Sequence, residues 1–331
     1  MTARSIRGHA AAHALLERAC TLDRVAHAYA FVGPPGIGKR LTALAFAQTL
    51  LCSTPVSGER RLGGCGSCSA CRRVDTGTHP DCHLIAPDGQ TIKIEQIREL
   101  GRLAALRPHE GPRKIFIVDE AERMPLLTAN ALLKTLEEPP DRTVLILILS
   151  QTKALPATVL SRCQLVRFAP LGEADAVAIL RERGVDEVSA RFLARACQGR
   201  VGVALAQEPA AWGERRDSAV ALLAKVGAEG AEALFNSAEA LGRDRSQIAA
   251  LIEAIWLWHR DLLCAKAGSD PRLLISGDRQ AELASAAGLT SWELLFGALA
   301  ACREAWQALQ ANVSPRLTLE VLLGRLALKA A

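Results

Sequence analysis

Ala28-Tyr-Ala-Phe-Val32 runs straight into Gly33-Pro-Pro-Gly-Ile-Gly-Lys39, and this junction decides the fold. An apolar run of strand length opens into the pattern G-x-x-x-x-G-K, and Leu41–Leu51 follows with helical length and spacing. Strand, glycine turn and helix in that order make a phosphate loop. Gly33, Gly36 and Gly38 let the backbone approach an anion, and the helix N-terminus and Lys39 favour its charge. The alternative, a glycine–proline turn with a surface lysine, leaves the flanking strand and helix unexplained. The next residue breaks the pattern. A working loop needs Ser or Thr there to hold Mg²⁺, and this chain has Arg40, which cannot ligate a cation. The nearest hydroxyl, Thr42, is two residues out of register. The expectation is a degenerate site in which ATP with Mg²⁺ is not a dependable cofactor. Nucleotide could still be held without turnover, with Arg40 neutralising phosphate charge.

Further along, Ile115-Phe-Ile-Val118 is a buried-strand run ending in Asp119-Glu120. This is the Walker-B arrangement, in which Asp119 faces the metal and Glu120 polarises the attacking water. Alone, the same residues would read as an acidic strand end capping a helix. Val144–Leu149 is another β-branched strand, and Thr128–Glu138 between the two reads as one helix stopped by Pro139-Pro140. Strands alternating with helices predict a mostly parallel sheet with helices on both faces. After Pro170 the strand signal ends. Ala174–Arg183 and Val188–Cys197 read as a short helical pair, and from Glu208-Pro209 the pattern is amphipathic helix, with Ile248, Leu251, Ile252, Ile255, Leu262 and Leu263 marking one stripe.

Composition excludes several classes. Half of the 331 residues are hydrophobic and 23% are charged, which is globular rather than disordered. No stretch approaches eighteen uninterrupted apolar residues, and the N-terminus lacks the apolar core of a signal peptide, so a cytoplasmic protein without a membrane partner is expected. The net charge of +5 falls entirely within residues 1–208 and is too mild for a histone-like binder. Aromatics at 4% argue against a stacking platform for single strands.

Ten cysteines in such a protein point to metal or thiol chemistry rather than disulfides. Cys65-x2-Cys68-x2-Cys71 supplies three thiols at metal-ligand spacing, and a closed tetrahedral zinc site needs a fourth. Spacing leaves Cys52, His79, Cys82 and His83 open. An iron–sulfur cluster uses similar spacing, but no Cys-Pro follows. Catalytic zinc lacks its H-x-E or H-E-x-x-H companion. Cys20, Cys197, Cys264 and Cys302 lie in apolar helical contexts and read as core residues.

These segments together resemble the bacterial AAA+ clamp-loader family. The resemblance is carried by His27–Lys39, Leu50-Leu-Cys52 with the later cysteines, and Thr78-His-Pro-Asp81. It continues through Asp119–Met124, Asn130–Pro139 and Leu160-Ser-Arg-Cys-Gln164, specific over residues 5–170 and weaker to Asn312–Leu317 and Leu319–Leu323. It implies a RecA-like AAA+ module at 1–168 with a zinc-binding insertion at about 52–82, a helical lid at 169–208, and a helical collar at 209–331. It implies Cys52 as the fourth ligand of a structural zinc, with Cys82 outside the motif. Arg162 matches the family's arginine finger, which stabilises charge on a neighbour's transferring phosphoryl group. Gly202 stands where the motor subunit carries a sensor arginine, with Arg200 two residues earlier.

Loss of both the hydroxyl at 40 and the sensor arginine implies a non-motor subunit. Its implied partners are motor and wrench subunits in a five-membered ring, the sliding clamp, and primed DNA reached through the assembly. An active motor-type ATPase of the same fold is the alternative, and a zinc-dependent DNA-binding module with a vestigial phosphate loop is the alternative of another class. For the latter, Arg98 and Arg102 lie one turn apart, though a solvated helix face explains them equally.

Overall fold

A computed structural model of the chain describes residues 6–54, 62–206, 209–241, 244–311 and 313–327. The boundary expected at 208/209, Asn312, and residues 55–61 of the expected insertion lie outside or partly outside these. The chain forms two compact units, one of residues 1–190 with 197–205, the other of 191–196 with 206–331.

The first unit is built on five parallel strands: β1 (Ala28–Val32), β2 (Cys82–Ile85), β3 (Lys114–Val118), β4 (Thr143–Leu149) and β5 (Gln164–Arg167), in the order β2-β3-β4-β1-β5. Its helices are α1 (Ala10–Thr21), α2 (Lys39–Leu51), α3 (Ser69–Thr76), α4 (Ile94–Ala104), α5 (Leu126–Ala131), α6 (Leu133–Glu137), α7 (Ala157–Leu160), α8 (Glu173–Glu182) and α10 (Val201–Leu205). α9 (Glu187–Ala196) is divided between the units.

β1, β3 and β4 are buried along their whole length, as unbroken apolar strands covered on both faces should be. Strand alternation sorts their side chains into two cores. Tyr29, Phe31, Ile115, Ile117, Ile146 and Ile148 pack against α1 and α2 through Leu16, Phe46 and Leu50. Ala28, Ala30, Phe116, Leu145 and Leu147 pack against α4 to α7 through Ile97, Leu100, Leu132, Leu136 and Val159. The α/β class expected from the sequence is the one observed.

The single helix expected over Thr128–Glu138 is two. α5 starts at Leu126, and at Leu132 the N–H bonds the Ala129 carbonyl, three residues back. That tightened turn points Ala129, Leu132 and Leu136 into one core. β2 and β5 were not legible in advance. They are four-residue edge strands, and Cys-His-Leu-Ile and Gln-Leu-Val-Arg mix polar with apolar residues.

The second unit is helical: α11 (Pro209–Glu229), α12 (Ala231–Ala240), α13 (Arg245–Lys266), α14 (Gln280–Leu289), α15 (Trp292–Gln310) and α16 (Pro315–Ala327). Asp244 starts α13 by accepting the Ser246 and Gln247 amides. Its stripe Ile248, Leu251, Ile252 and Ile255 packs on Cys302, Leu319, Leu322 and Leu323. No single helix among the described residues is long and apolar enough to cross a membrane.

Candidate nucleotide-loop and cysteine sites

The phosphate loop joins β1 to α2 at the carboxyl edge of the sheet, where open α/β sheets bind ligands. Gly36 and Gly38 hold φ of 77° and 102°, and α2 begins at Lys39. The loop is engaged by its own chain. The Lys39 ammonium donates to the Gly33 and Pro34 carbonyls, the latter at 2.7 Å, and is nearly buried. Burial lowers its pKa. His9 Nε2 bonds the Ile37 carbonyl at 2.7 Å. Thr42 is fully buried and its hydroxyl donates to the Gly38 carbonyl at 3.2 Å, so it does not substitute for the missing metal ligand.

Arg40 reaches across the loop instead. Its guanidinium lies 3.4 Å from Asp119 Oδ2, placing a fixed cation against the carboxylate that would face Mg²⁺. Glu120, at φ 47°, turns to Arg123 at 2.5 Å and is half exposed. A contact from α10 completes the arrangement. The Gly202 amide, in α10, donates to the Gly36 carbonyl at 2.7 Å. A Cβ on Gly202 would stand 2.9 Å from both Gly36 Cα and its oxygen, and a Cβ on Gly36 would stand 2.8 Å from Val203. Position 202 therefore has no room for an arginine while α10 rests on the loop. Arg200 turns away, donating from Nε to the Cys197 carbonyl at 3.1 Å.

Arg162 lies between α7 and β5. One guanidinium nitrogen is 2.7 Å from Glu137 and the other donates to the Thr158 carbonyl at 2.9 Å. Its neighbour Cys163 is packed inward, and burial pushes the thiol up to about 12. Such a thiol is inert.

The cysteines converge as one cluster. The sulfurs of Cys52, Cys65, Cys68 and Cys71 all lie within 4.8 Å of one another, with Cys52–Cys68 and Cys65–Cys71 at 4.0 Å. A tetrahedral ion with metal–sulfur bonds of ~2.3 Å has sulfur–sulfur edges of about 3.8 Å, so the cluster can hold a metal ion. Cys52 ends α2, and Cys68 caps α3. The turn between them fits only glycine: Gly64 sits at φ 57°, and a Cβ there would meet Cys71 Sγ at 2.8 Å and the Gln48 carbonyl at 2.9 Å. Backbone N–H groups point at the sulfurs, Cys65 to Cys52 at 3.4 Å, Cys68 to Cys65 at 3.2 Å and Cys71 to Cys68 at 3.4 Å. The Ser67 and Cys68 amides hold Cys65 down at about 5. Burial opposes the Cys68 thiolate, but the Ser53 hydroxyl and the Cys71 amide bring it to about 7. Burial raises Cys52 and Cys71. A cation among the four would reverse that pressure.

The other three candidate ligands lie elsewhere. Cys82 opens β2 and packs into the α1–α2 core, its thiol pushed up to about 12 by burial. His83 stacks on Phe116 with ring centroids 4.9 Å apart. His79 is buried, accepting the Asp81 amide on Nδ1 at 3.1 Å, with Nε2 3.4 Å from Glu110. Of the cysteines expected in the core, Cys20, Cys197 and Cys302 are buried and Cys264 is half-buried.

Residues 8–172 match the family model described as "DNA polymerase III, delta subunit". The chain is 39% identical over 180 residues to DNA polymerase III subunit delta' of Bacillus subtilis, covering 54% of this chain and 53% of that protein. It is 43% identical over 140 residues to the delta' subunit of Pseudomonas aeruginosa, 42% of each chain. The chain belongs to the clamp-loader delta-prime family. Against DNA polymerase III subunit tau of Escherichia coli identity is 30% over 272 residues, 74% of this chain and 41% of that protein. The chain thus matches about half or less of the length of these curated relatives.

Three carboxylates that matter to this clamp-loader module carry no distinctive sequence signal of their own. Asp81, quoted only within Thr78-His-Pro-Asp81, is fully buried and accepts the amides of His109, Glu110 and Gly111 at 2.6, 2.9 and 2.8 Å. Burial would raise its pKa, but the three amides outweigh it and hold the carboxyl below its ordinary value. Glu110 in turn binds Arg73 at 2.5 Å and so ties α3, which carries Cys71, to the sheet. Glu122 accepts the Ser150 amide at 3.1 Å and its other oxygen is buried without a partner among the described residues. The signal for Asp81 was its place two residues after a histidine and one before a strand, which spacing alone does not distinguish from a turn.

Proposed function

We propose that this chain is a non-motor subunit of the DNA polymerase III clamp loader, helping to place the sliding clamp on primed DNA without hydrolysing ATP itself. The observation that carries the reading is Arg40. Its guanidinium lies against Asp119, where a motor subunit needs a hydroxyl and Mg²⁺. Lys39 turned onto the loop carbonyls, and α10 resting on Gly36, support the same reading.

Arg162 then serves a neighbouring subunit. It sits on a short turn, and to reach out it has to leave a half-exposed Glu137 and the Thr158 carbonyl. Cys52, Cys65, Cys68 and Cys71 hold a structural zinc that staples a segment of few apolar residues. In this reading residues 1–168 are the AAA+ module, 169–208 the lid and 209–331 the collar that assembles with motor and wrench subunits in a five-membered ring in the cytoplasm. Trp292, Phe296, Trp306 and Phe235 are exposed on the helical unit of a chain poor in aromatics, and exposed aromatics of this kind anchor protein interfaces.

The test is ATP hydrolysis by the isolated chain with and without Mg²⁺, together with fluorescent-nucleotide titration. The expected result is no turnover above a Lys39→Ala control. Mg²⁺-dependent turnover abolished by Lys39→Ala would establish the motor reading instead.

A further inference from the structure

The sheet ends at β5, whose one strand partner among the described residues is β1. The Phe168 amide bonds the Val32 carbonyl, so parallel alternation turns Gln164 and Val166 toward β1 and leaves the N–H and C=O of Leu165 and Arg167 facing the open edge. An unprotected edge is a template for another strand. Beside the start of β5, α1 and the turn after it line a groove of about 470 Å³. Leu15, Ala19 and Leu22 give it an apolar side, Arg18 and Arg24 are its charges, and Gln164 closes it on the strand. Leu22 is 51% exposed and Leu165 39%.

The two arginines set the chemistry of the occupant. Arg7, Arg73, Arg113 and Arg162 in the same unit each hold a carboxylate. Arg18 and Arg24 have no ion pair among the described residues, and no carboxylate lines the groove. We propose that this face binds an extended segment of another protein chain, added as a sixth strand beside β5. Its apolar side chains sit against Leu15 and Leu22, and its carboxylates reach Arg18 and Arg24. A second copy pairing through its own β5 is disfavoured, because Gln-Leu-Val-Arg offers no carboxylate to these arginines. Duplex nucleic acid supplies charge but neither the apolar side chains nor a peptide backbone to complete the edge. Neither Arg40 nor Arg162 takes part, so the proposal stands apart from the nucleotide-loop reading.

The test titrates the full chain with a short labelled peptide of Glu-Glu-Leu-Val repeats, which places both acidic and apolar residues on each face of a strand. Binding is read by anisotropy, and amide exchange is followed over residues 164–167. The expected result is saturable binding, slowed exchange at Leu165 and Arg167, and affinity weakened roughly tenfold or more in Arg18→Glu/Arg24→Glu. A thermal melt confirms that the double variant is folded, since both side chains are on the surface. The proposal is overturned by no binding at millimolar peptide, by equal affinity in the double variant, or by unchanged exchange at the edge. Equal binding of a poly-Glu peptide, or stronger protection of the same amides by a DNA duplex, overturns it as well.

Discussion

Removing the Arg162 guanidinium separates two roles that differ by several kcal/mol. Within its own chain Arg162 contacts Glu137 at 2.7 Å and the Thr158 carbonyl at 2.9 Å, and the paired side chains are 36% and 49% exposed. An ion pair so open to solvent is worth ~0.2–1 kcal/mol. In a unit of this size that is a shift of only a few degrees in Tm. A finger acting in trans is worth at least about 10³ in the rate of the site it serves, or about 4 kcal/mol of transition-state stabilisation. Arg162→Ala should therefore melt almost with the wild type and assemble normally, while single-turnover hydrolysis at the adjacent motor site falls by roughly three decades or more. Arg162→Lys should recover little, because an ammonium lacks the planar fork. The assay is DNA-stimulated ATPase of the reconstituted complex, with native mass spectrometry to establish its stoichiometry. Undiminished turnover in a fully assembled complex would refute the reasoning. Equal loss of assembly and activity would move Arg162 from chemistry to structure.

Asp81→Ala should lower stability by about 3–5 kcal/mol, since three amides lose a buried charged acceptor. The Asp81 carboxyl is held below its ordinary value, so its contribution is fully present above the unfolded pKa and is lost as pH falls through the folded one. Urea midpoints measured between neutral pH and pH 3 should show this loss in the wild type and a flatter profile in Asp81→Asn. A strong zinc chelator, or Cys68→Ser, should raise amide exchange across residues 62–76 and release close to one metal ion per chain; a metal-free wild type with the same protection would remove the zinc. Gly202→Arg should lift α10 from the loop, lower Tm by a few degrees for a cost of ~1–3 kcal/mol, and speed exchange at 33–39 and 197–205. Unchanged exchange there would mean the α10–loop contact does not persist in solution.

The sequence carried the fold where its signals were redundant. β1, β3 and β4 are buried along their whole length and almost wholly apolar because both faces are covered, and Gly36 and Gly38 are required by positive φ. It was silent at the sheet edges, where β2 and β5 are four residues long, are only partly buried and mix polar with apolar residues, so that they look like loop. Spacing alone showed three members of the cysteine cluster, and only the family resemblance pointed to Cys52. Cys52 is thirteen residues from Cys65 and meets it only because α2 ends beside the glycine turn. The closure of the phosphate loop was half legible. Arg40 shows in the sequence as a missing hydroxyl, but that it reaches Asp119 depends on β3 and β1 being separated by β4 alone. The Asp81 and Glu110 network joins segments almost thirty residues apart and has no local pattern.

The contact between Gly36 and Gly202 has a consequence for how this chain can change. Two backbones meet where each lacks a side chain, and one hydrogen bond joins them. An arginine at 202 cannot be acquired by one substitution without displacing α10, and a displaced α10 leaves the Gly36 carbonyl to find another donor. A hydroxyl at position 40 would free Asp119 yet leave α10 resting on the loop. Building a cation site here is thus an epistatic problem, in which each single step is penalised until the others are present. The geometry acts as a ratchet: no single substitution both uncovers Asp119 and makes room for a side chain at 202.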